Sequence, residues 1–92
     1  MKEFTYDIED AHGMHARPAG KLAVFAKQFR SNIRVFANQK SADAKRLISL
    51  MSLGAVQGTE LHFVIEGEDE EEASAALEAF CRSDWNMGGV NK

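Results

Sequence analysis

The chain has 92 residues, of which 45% are hydrophobic and 27% are charged, and its formal net charge is −3. This length is enough for one domain with one core and too short for two domains. The composition is unlike that of a disordered chain. No apolar run approaches the length of a membrane span, and the first residues lack the apolar region of a signal peptide. The composition therefore predicts a cytoplasmic protein without membrane insertion.

The charges are unevenly distributed along the chain. Residues 11–58 carry eight Lys or Arg and one acid, Asp43, whereas residues 59–92 carry nine acids and two bases. The first ten residues carry four acids and one base. A basic central segment favours an anionic partner, which is a phosphate, an acidic protein face or a nucleic acid.

The first predicted elements are a strand, a loop and a helix. Apolar residues alternate with polar ones over residues 4–8, which predicts a half-buried strand, and residues 11–13 form a loop. From about residue 16 to residue 29 the apolar residues follow helical spacing. Pro18 is tolerated only in the first turn of a helix, so the helix is predicted to begin near His15 or Ala16.

Two strands and a short helix are predicted next. Residues 32–37 alternate as a second strand, Asn38-Gln39 is a hairpin turn, and residues 40–42 form a third strand. We expect Asp43 to cap a short helix that Gly54 stops. The helix is predicted to run through Leu47, Ile48 and Met51.

The last third of the chain predicts a strand, a helix and a tail. Residues 61–65 alternate as a fourth strand, and the acidic run 68–72 suits the positive end of a helix dipole. We therefore interpret the acids as a helix start and not as a metal site. The helix has an apolar stripe that includes Cys81, predicted to be an inert core thiol, and residues 83–92 are predicted to be a flexible tail.

The element order is therefore βαββαβα, and each element has one apolar face. This pattern predicts an α+β fold with a four-stranded antiparallel sheet and three helices on one face. The expected organisation is a single domain over residues 1–92.

Of the three histidines, His12, His15 and His62, only His15 has a context that suggests chemistry. His62 alternates out of phase with the buried side of its strand and is predicted to face solvent. His15 falls at the N-cap of a helix, where the first backbone N–H groups, those of Ala16 and Arg17, lack helical acceptors and favour an anion. Arg17 adds a permanent cation, and neutral imidazole is a nucleophile at cell pH. The residues alone leave open whether His15 accepts phosphate or only caps the helix.

Three segments carry a family resemblance. The segment 13–19, Gly-Met-His-Ala-Arg-Pro-Ala, resembles the phosphorylation site of HPr, the histidine-containing phosphocarrier of the bacterial sugar phosphotransferase system. Residues 40–61, with the run Met-Ser-Leu-Gly, resemble the second-helix region of the same family. Residues 66–70, Glu-Gly-Glu-Asp-Glu, match the entry into its last helix. The resemblance covers about residues 2–82.

The resemblance implies an open-faced β-sandwich and a specific activity. Members of the family are phosphorylated by enzyme I, with phosphate from phosphoenolpyruvate, and pass it to sugar-specific IIA domains. The matching acceptor is Nδ1 of His15, and Arg17 matches the arginine that stabilises the phosphate. A member of this family is a phosphoryl carrier and not an enzyme, and we expect no cofactor, no metal and a monomer.

Partners of the family dock on the first two helices, next to the histidine. The corresponding residues here are Lys21, Lys27, Arg46, Leu47, Ile48 and Met51. Arg46 is also a departure, because many relatives from low-GC Gram-positive bacteria carry a regulatory serine at this position. The absence of that serine in this chain argues against control by a serine kinase.

Three alternatives remain at this stage. One is a regulator that acts by protein–protein interaction alone, in a nitrogen-related branch or in catabolite control, although such relatives lack the active histidine. A second is a nucleic-acid binder, against which the negative net charge and the absence of a recognition motif both argue. The third is a metal site built on His12 and His15, for which we find no nearby carboxylate or thiol in the sequence.

Overall fold

The fold is described from a computed structural model, which covers residues 1–85 except the side chain of Asp84. It has four strands, three α-helices and one π-helical turn that continues the last helix. In chain order these are β1 Lys2–Asp7, α1 Ala16–Ala26, β2 Asn32–Ala37, β3 Lys40–Asp43, α2 Leu47–Met51, β4 Glu60–Glu66, α3 Glu70–Ala79 and the π-helical turn Phe80–Trp85.

The strands form one sheet in the order β1-β4-β2-β3, in which all neighbours are antiparallel. Side chains that alternate along β2 and β4 are fully buried on one face, where the helices pack, and they include Val35, Leu61 and Phe63. The other face is open. The rings of Phe36 and His62 lie on it, with their centroids 6.2 Å apart. The predicted α+β architecture is confirmed, because the period-two pattern gives each strand one buried face.

The predicted hairpin turn joins β2 to β3. Asn38 and Gln39 have φ angles of 52° and 65°, the left-handed conformation that a two-residue hairpin requires at both positions. The Asn38 side-chain amide also donates to the Leu53 carbonyl at 3.1 Å, which ties the turn to the segment after α2. The turn therefore holds the second helix region against the sheet.

The start of α2 differs from the prediction. Asp43 ends β3, and its Oδ1 accepts the N–H of Lys45 at 2.9 Å in a local turn instead of capping the helix. Arg46 occupies the N-cap position. The side chains that α2 and its C-terminal turn contribute to the core are Leu50 and Leu53, while Leu47, Ile48 and Met51 are exposed.

The C-terminal segment also differs from the prediction. Residues 83–85, which were assigned to a flexible tail, belong to the π-helical turn, and Trp85 is buried against Tyr6 with ring centroids 5.6 Å apart. The rest of that predicted tail, residues 86–92, lies outside the described residues. Cys81 is fully buried as predicted, and burial raises the pKa of its thiol to about 12.

A second junction ties the start of α3 to the loop before β2. The Asp69 carboxylate accepts the backbone N–H groups of Arg30 and Ser31, each at 2.9 Å, and the Ser31 hydroxyl. The hydrogen bond from the Ser31 hydroxyl, followed by that from Arg30 N–H, lowers the pKa of Asp69 below its ordinary 3.8. Within residues 1–85, the helices are too short or too polar to cross a membrane.

Candidate functional site

The loop between β1 and α1 is built around Gly13. Its φ of 71° is left-handed, and a Cβ at this position would lie 2.5 Å from the Ala55 carbonyl oxygen. The next residue, Met14, is buried and donates its N–H to the same carbonyl at 3.0 Å. Only glycine allows the backbone to approach Ala55 this closely. The loop that precedes His15 therefore packs directly against the segment after α2.

His15 is the N-cap residue of α1, as predicted, with extended backbone angles and no side-chain hydrogen bond to the helix start. Its carbonyl accepts the N–H of Ala19 at 3.0 Å, the first bond of the helix. The first turn contains no acidic residue, and Pro18 is buried within it. The imidazole is therefore not used to cap its own helix, and the helix start carries no anion from its own first turn.

The imidazole opens onto a cleft of about 190 Å³. The lining residues are mostly basic or aromatic, and they are Asp10, His12, His15, Arg17, Pro18, Lys21 and Trp85. The structure thus brings together the predicted acceptor His15, the predicted phosphate ligand Arg17 and the predicted docking residue Lys21. The exposed side chain of Arg17 extends from the first turn of the helix, two residues after His15.

Two residues of the cleft were missed from the sequence. Asp10 Oδ2 lies 3.6 Å from Nε2 of His15, and the His12 ring meets the His15 ring edge-on at a centroid distance of 5.7 Å. His12 was taken as an ordinary loop histidine, and Asp10 was given no role. The available signal was a histidine directly before the glycine that fixes the turn, but only the folded loop places these side chains beside His15.

Trp85 was also missed, because it follows the last segment with a recognisable pattern. Its indole N–H donates to the Pro18 carbonyl at 2.8 Å in a buried hydrogen bond. The ring packs between Tyr6 and Phe80, at 5.6 and 6.2 Å between centroids. The end of the π-helical turn therefore forms one wall of the cleft and fixes the first turn of α1.

The predicted docking residues lie on two helices that pack against each other, α1 and α2. Lys27 is the exposed C-cap of α1, and Arg46 is exposed at the start of α2. Ile48 is 74% exposed, and on α1 the unpredicted Val24 is 69% exposed. Both helices thus present apolar side chains next to basic ones, and Leu47 and Met51 add to this exposed apolar surface.

A carboxylate does lie near His12 and His15, contrary to the expectation from the sequence, because Asp10 contacts both of these residues. Over residues 1–85, however, the structure contains no group of three His, Cys, Asp or Glu side chains placed to hold a metal ion. His62, predicted to face solvent, is half-exposed on the open face of the sheet, with Nε2 2.7 Å from Glu3 Oε1.

Comparison with known proteins points to one family. The family model described as the PTS HPr component phosphorylation site matches residues 2–83. A phosphocarrier protein HPr from Mycoplasma capricolum is 38% identical over 77 residues, which cover 84% of this chain and 86% of the relative. The crystal structure of HPr-C-His from Thermoanaerobacter tengcongensis superimposes with a TM-score of 0.86 at 40% identity, covering 95% of this chain and 98% of the other.

A regulatory relative is also similar in fold. The Bacillus subtilis catabolite repression protein Crh, whose crystal structure is a domain-swapped dimer, gives a TM-score of 0.71 at 32% identity, covering 91% of this chain and 97% of the other. The expectation of a monomer therefore stays a prediction. Because the family model spans nearly all of the described residues and the fold agrees, this chain belongs to the HPr family of phosphocarrier proteins of the phosphotransferase system.

Proposed function

We propose that this protein accepts a phosphoryl group on Nδ1 of His15 from enzyme I and donates it to sugar-specific IIA domains. The observation that carries the proposal is the start of α1, where His15 occupies the N-cap without capping the helix and no acid fills the first turn. Such a helix start attracts an anion through its N–H groups and dipole. The phosphate takes that position when it is bonded to the imidazole.

The transfer needs little chemistry from the carrier itself. The Nδ1 lone pair attacks phosphorus as the bond to the donor breaks, and the reverse attack by an acceptor returns the ring to its starting state. In our proposal the backbone N–H groups of Ala16 and Arg17, with the Arg17 guanidinium, bind the phosphate oxygens and offset their charge. The partner enzymes supply the in-line geometry, so the protein acts as a carrier and turns over no small molecule.

The experiment that tests this proposal is incubation with enzyme I and radiolabelled phosphoenolpyruvate. We expect acid-labile label on the wild type and none on His15→Ala. His62→Ala is the matched control, because it removes a histidine from the open face of the sheet and should keep full labelling. Label that persists on His15→Ala, or a wild type that takes none, refutes the proposal. Chase with a IIA domain then tests the onward transfer.

The proposed docking surface consists of Val24, Lys27, Arg46, Leu47, Ile48 and Met51, with Lys21 between it and the cleft. Exposed apolar side chains bordered by bases suit a partner face with an apolar centre and an acidic rim. Ile48 is the most exposed of these apolar residues, so its truncation should leave folding nearly unchanged. The neighbouring Lys45 is left out of this surface, because its part-buried Nζ donates to the Phe29 carbonyl at 2.7 Å.

Ile48→Ala tests the docking surface. We expect the KM for phosphorylation by enzyme I to rise about fivefold, as for a contact near the centre of an interface, and binding to weaken as ionic strength rises. Phe36→Ala is the matched control, because it removes an exposed apolar side chain from the open face of the sheet. Equal effects of the two substitutions, or binding insensitive to salt, would show that docking takes place elsewhere.

Serine phosphorylation is not part of the proposal. The exposed N-cap of α2 is Arg46 where regulated relatives carry serine, and the nearby Ser49 is half-buried, with its hydroxyl accepting the Asp43 N–H at 3.1 Å. Incubation with an HPr serine kinase should leave the protein unlabelled. Phosphoserine at Ser49 or Ser52 would overturn this expectation.

The alternative is a regulator that works by interaction alone, for which the similarity to Crh is the supporting observation. The two functions differ at one residue type, because relatives that only regulate lack the histidine that His15 matches. The labelling experiment separates them, since an interaction-only protein takes no phosphate from enzyme I.

A further inference from the structure

Asp10 is an unexpected residue for a phosphate site. Among the described residues it is the one acid that lines the cleft, together with Arg17, Lys21 and two histidines. A carboxylate repels an incoming phosphoryl group, so its place beside the acceptor calls for a compensating role. A purely local role is also available to it, since its side chain and main chain both make hydrogen bonds within the loop.

The carboxylate of Asp10 is held in place by that loop. Its Oδ1 accepts the N–H of His12 at 2.8 Å, and its backbone carbonyl accepts the N–H of Gly13 at 3.0 Å. Gly13 is in turn pressed against Ala55. With Oδ1 engaged, Oδ2 is the oxygen that faces Nε2 of His15, at 3.6 Å. This distance is longer than a hydrogen bond, and contacts of this kind in an unbound protein often tighten when the reaction partner binds.

We infer that Asp10 is a positioning residue, which keeps the proton of neutral His15 on Nε2 and so leaves the lone pair on Nδ1. A carboxylate accepts hydrogen bonds and cannot donate one when ionised, so it selects the tautomer with a proton on the nearer nitrogen. The inference rests on the proposed function, in which Nδ1 is the nucleophile. The His12 ring meets the His15 ring edge-on, at 5.7 Å between centroids.

The same contact serves the phosphorylated state. When the Nδ1–phosphorus bond forms and the bond to the donor breaks, the proton on Nε2 stays in place and the ring acquires a positive charge. Asp10 offsets that charge on the side of the ring opposite to the phosphate. When the phosphoryl group leaves for an acceptor, the ring returns to the neutral Nε2–H tautomer, and no proton has been exchanged with solvent.

Asp10→Asn separates this role from a structural one. The Asn carbonyl oxygen can still accept the His12 N–H and keep the turn, because Asn forms such turns as well as Asp. Its NH2 group then faces Nε2 as a donor, which favours the opposite tautomer. Glu9→Gln is the matched control, since Glu9 is an exposed neighbour that carries the same charge but does not line the cleft.

The test has two readouts on the full chain. Long-range proton–nitrogen NMR of the unphosphorylated protein at about pH 9, where histidine is neutral, reports the tautomer. We expect Nε2–H for His15 in the wild type and in Glu9→Gln, and a severalfold larger Nδ1–H fraction in Asp10→Asn. Phosphorylation by enzyme I should slow about fivefold in Asp10→Asn, as for loss of a partly exposed ion pair, and stay unchanged in Glu9→Gln.

The outcomes distinguish this inference from the proposed function. An unchanged tautomer in Asp10→Asn overturns the positioning role, whatever happens to the rate. A shifted tautomer with an unchanged rate shows that Asp10 sets the tautomer, but it overturns the role of Asp10 in transfer. A wild type that takes no phosphate refutes the proposed function, while the NMR comparison still decides whether Asp10 sets the tautomer.

Discussion

The two long helices of this protein begin in opposite ways. α1 begins at His15 with no acid in its first turn, whereas α3 begins at Asp69 and carries Glu70, Glu71 and Glu72 in its first turn. Neither N-cap side chain bonds the start of its own helix. Both starts present the same unpaired N–H groups and the same positive end of a dipole. The protein places its own carboxylates in the first turn of α3, and leaves the first turn of α1 to the proposed phosphate.

The difference separates a structural helix start from a functional one. At α3 the Asp69 carboxylate bonds the loop before β2, and Glu70 Oε1 accepts the N–H of Gly67 at 3.1 Å, so the acids stabilise the fold. At α1 the same kind of stabilisation would block the cleft. A helix without an acid in its own first turn therefore forgoes some stability, which an anion-binding function explains.

The largest expected effect comes from making α1 resemble α3. Ala16→Glu places a carboxylate in the first turn of α1, where it should raise stability by about 0.3–1 kcal/mol but slow phosphorylation by enzyme I about 100-fold, because like charges in contact cost several kcal/mol. Initial labelling rates and thermal unfolding measure the two effects. Ala75→Glu, an exposed position of α3, is the control, and equal labelling of the two variants would contradict the comparison.

Removing the cation at the start of α1 should have the next largest effect. Arg17→Gln should slow phosphorylation about 10- to 30-fold, since hydrogen bonds to charged groups are each worth about 1.5–3 kcal/mol. The measurement is the initial rate with enzyme I. Arg30→Gln changes an exposed arginine near the start of α3, paired with Glu68 at 3.1 Å, and should leave the rate unchanged. If Arg17→Gln is phosphorylated at the wild-type rate, the start of α1 binds the phosphate without the guanidinium.

Asp69→Asn should weaken the structural start of α3 and leave phosphorylation intact. Because folding lowers the pKa of Asp69 below 3.8, mainly through the Ser31 hydroxyl, its stabilisation is present above that pH and is lost as the pH falls through the folded pKa. The difference in unfolding midpoint between wild type and variant should therefore be constant at neutral pH and shrink in acid below about pH 4. A pH-independent difference would assign the effect to packing instead.

The smallest effect is expected for one of the exposed acids of α3. Glu72→Gln removes a first-turn carboxylate that lies in solvent, so denaturant unfolding should show a loss of only a few tenths of a kcal/mol that disappears in high salt. Glu66→Gln, an exposed acid at the end of β4, should show no loss. A larger loss at Glu72 would mean that the acids of this turn act together and not singly.

The local patterns of the sequence predicted most of the fold. β2 was predicted with the bounds that the structure has, and the helical spacing together with Pro18 predicted that α1 begins near His15 or Ala16, where the structure has it. The predictions failed where the role of a residue depends on contacts with residues that are distant in the sequence. Asp43 looks like a cap but ends a strand, because its partner strand extends the pairing by one residue through Arg34. The pattern also did not show that Leu50 is buried while Ile48 is exposed, since a helix of five residues is too short to define an apolar stripe.

By itself the sequence determined the order of the elements, the start of α1 and the candidate acceptor, because periodicity, proline and charge act over a few residues. Only the tertiary structure placed Asp10, His12 and Trp85 around His15. Asp10 depends on a loop that Ala55 holds, and Trp85 comes from the far end of the chain to bond Pro18. Contacts across such separations are decided by how the sheet and helices pack, which no local pattern encodes.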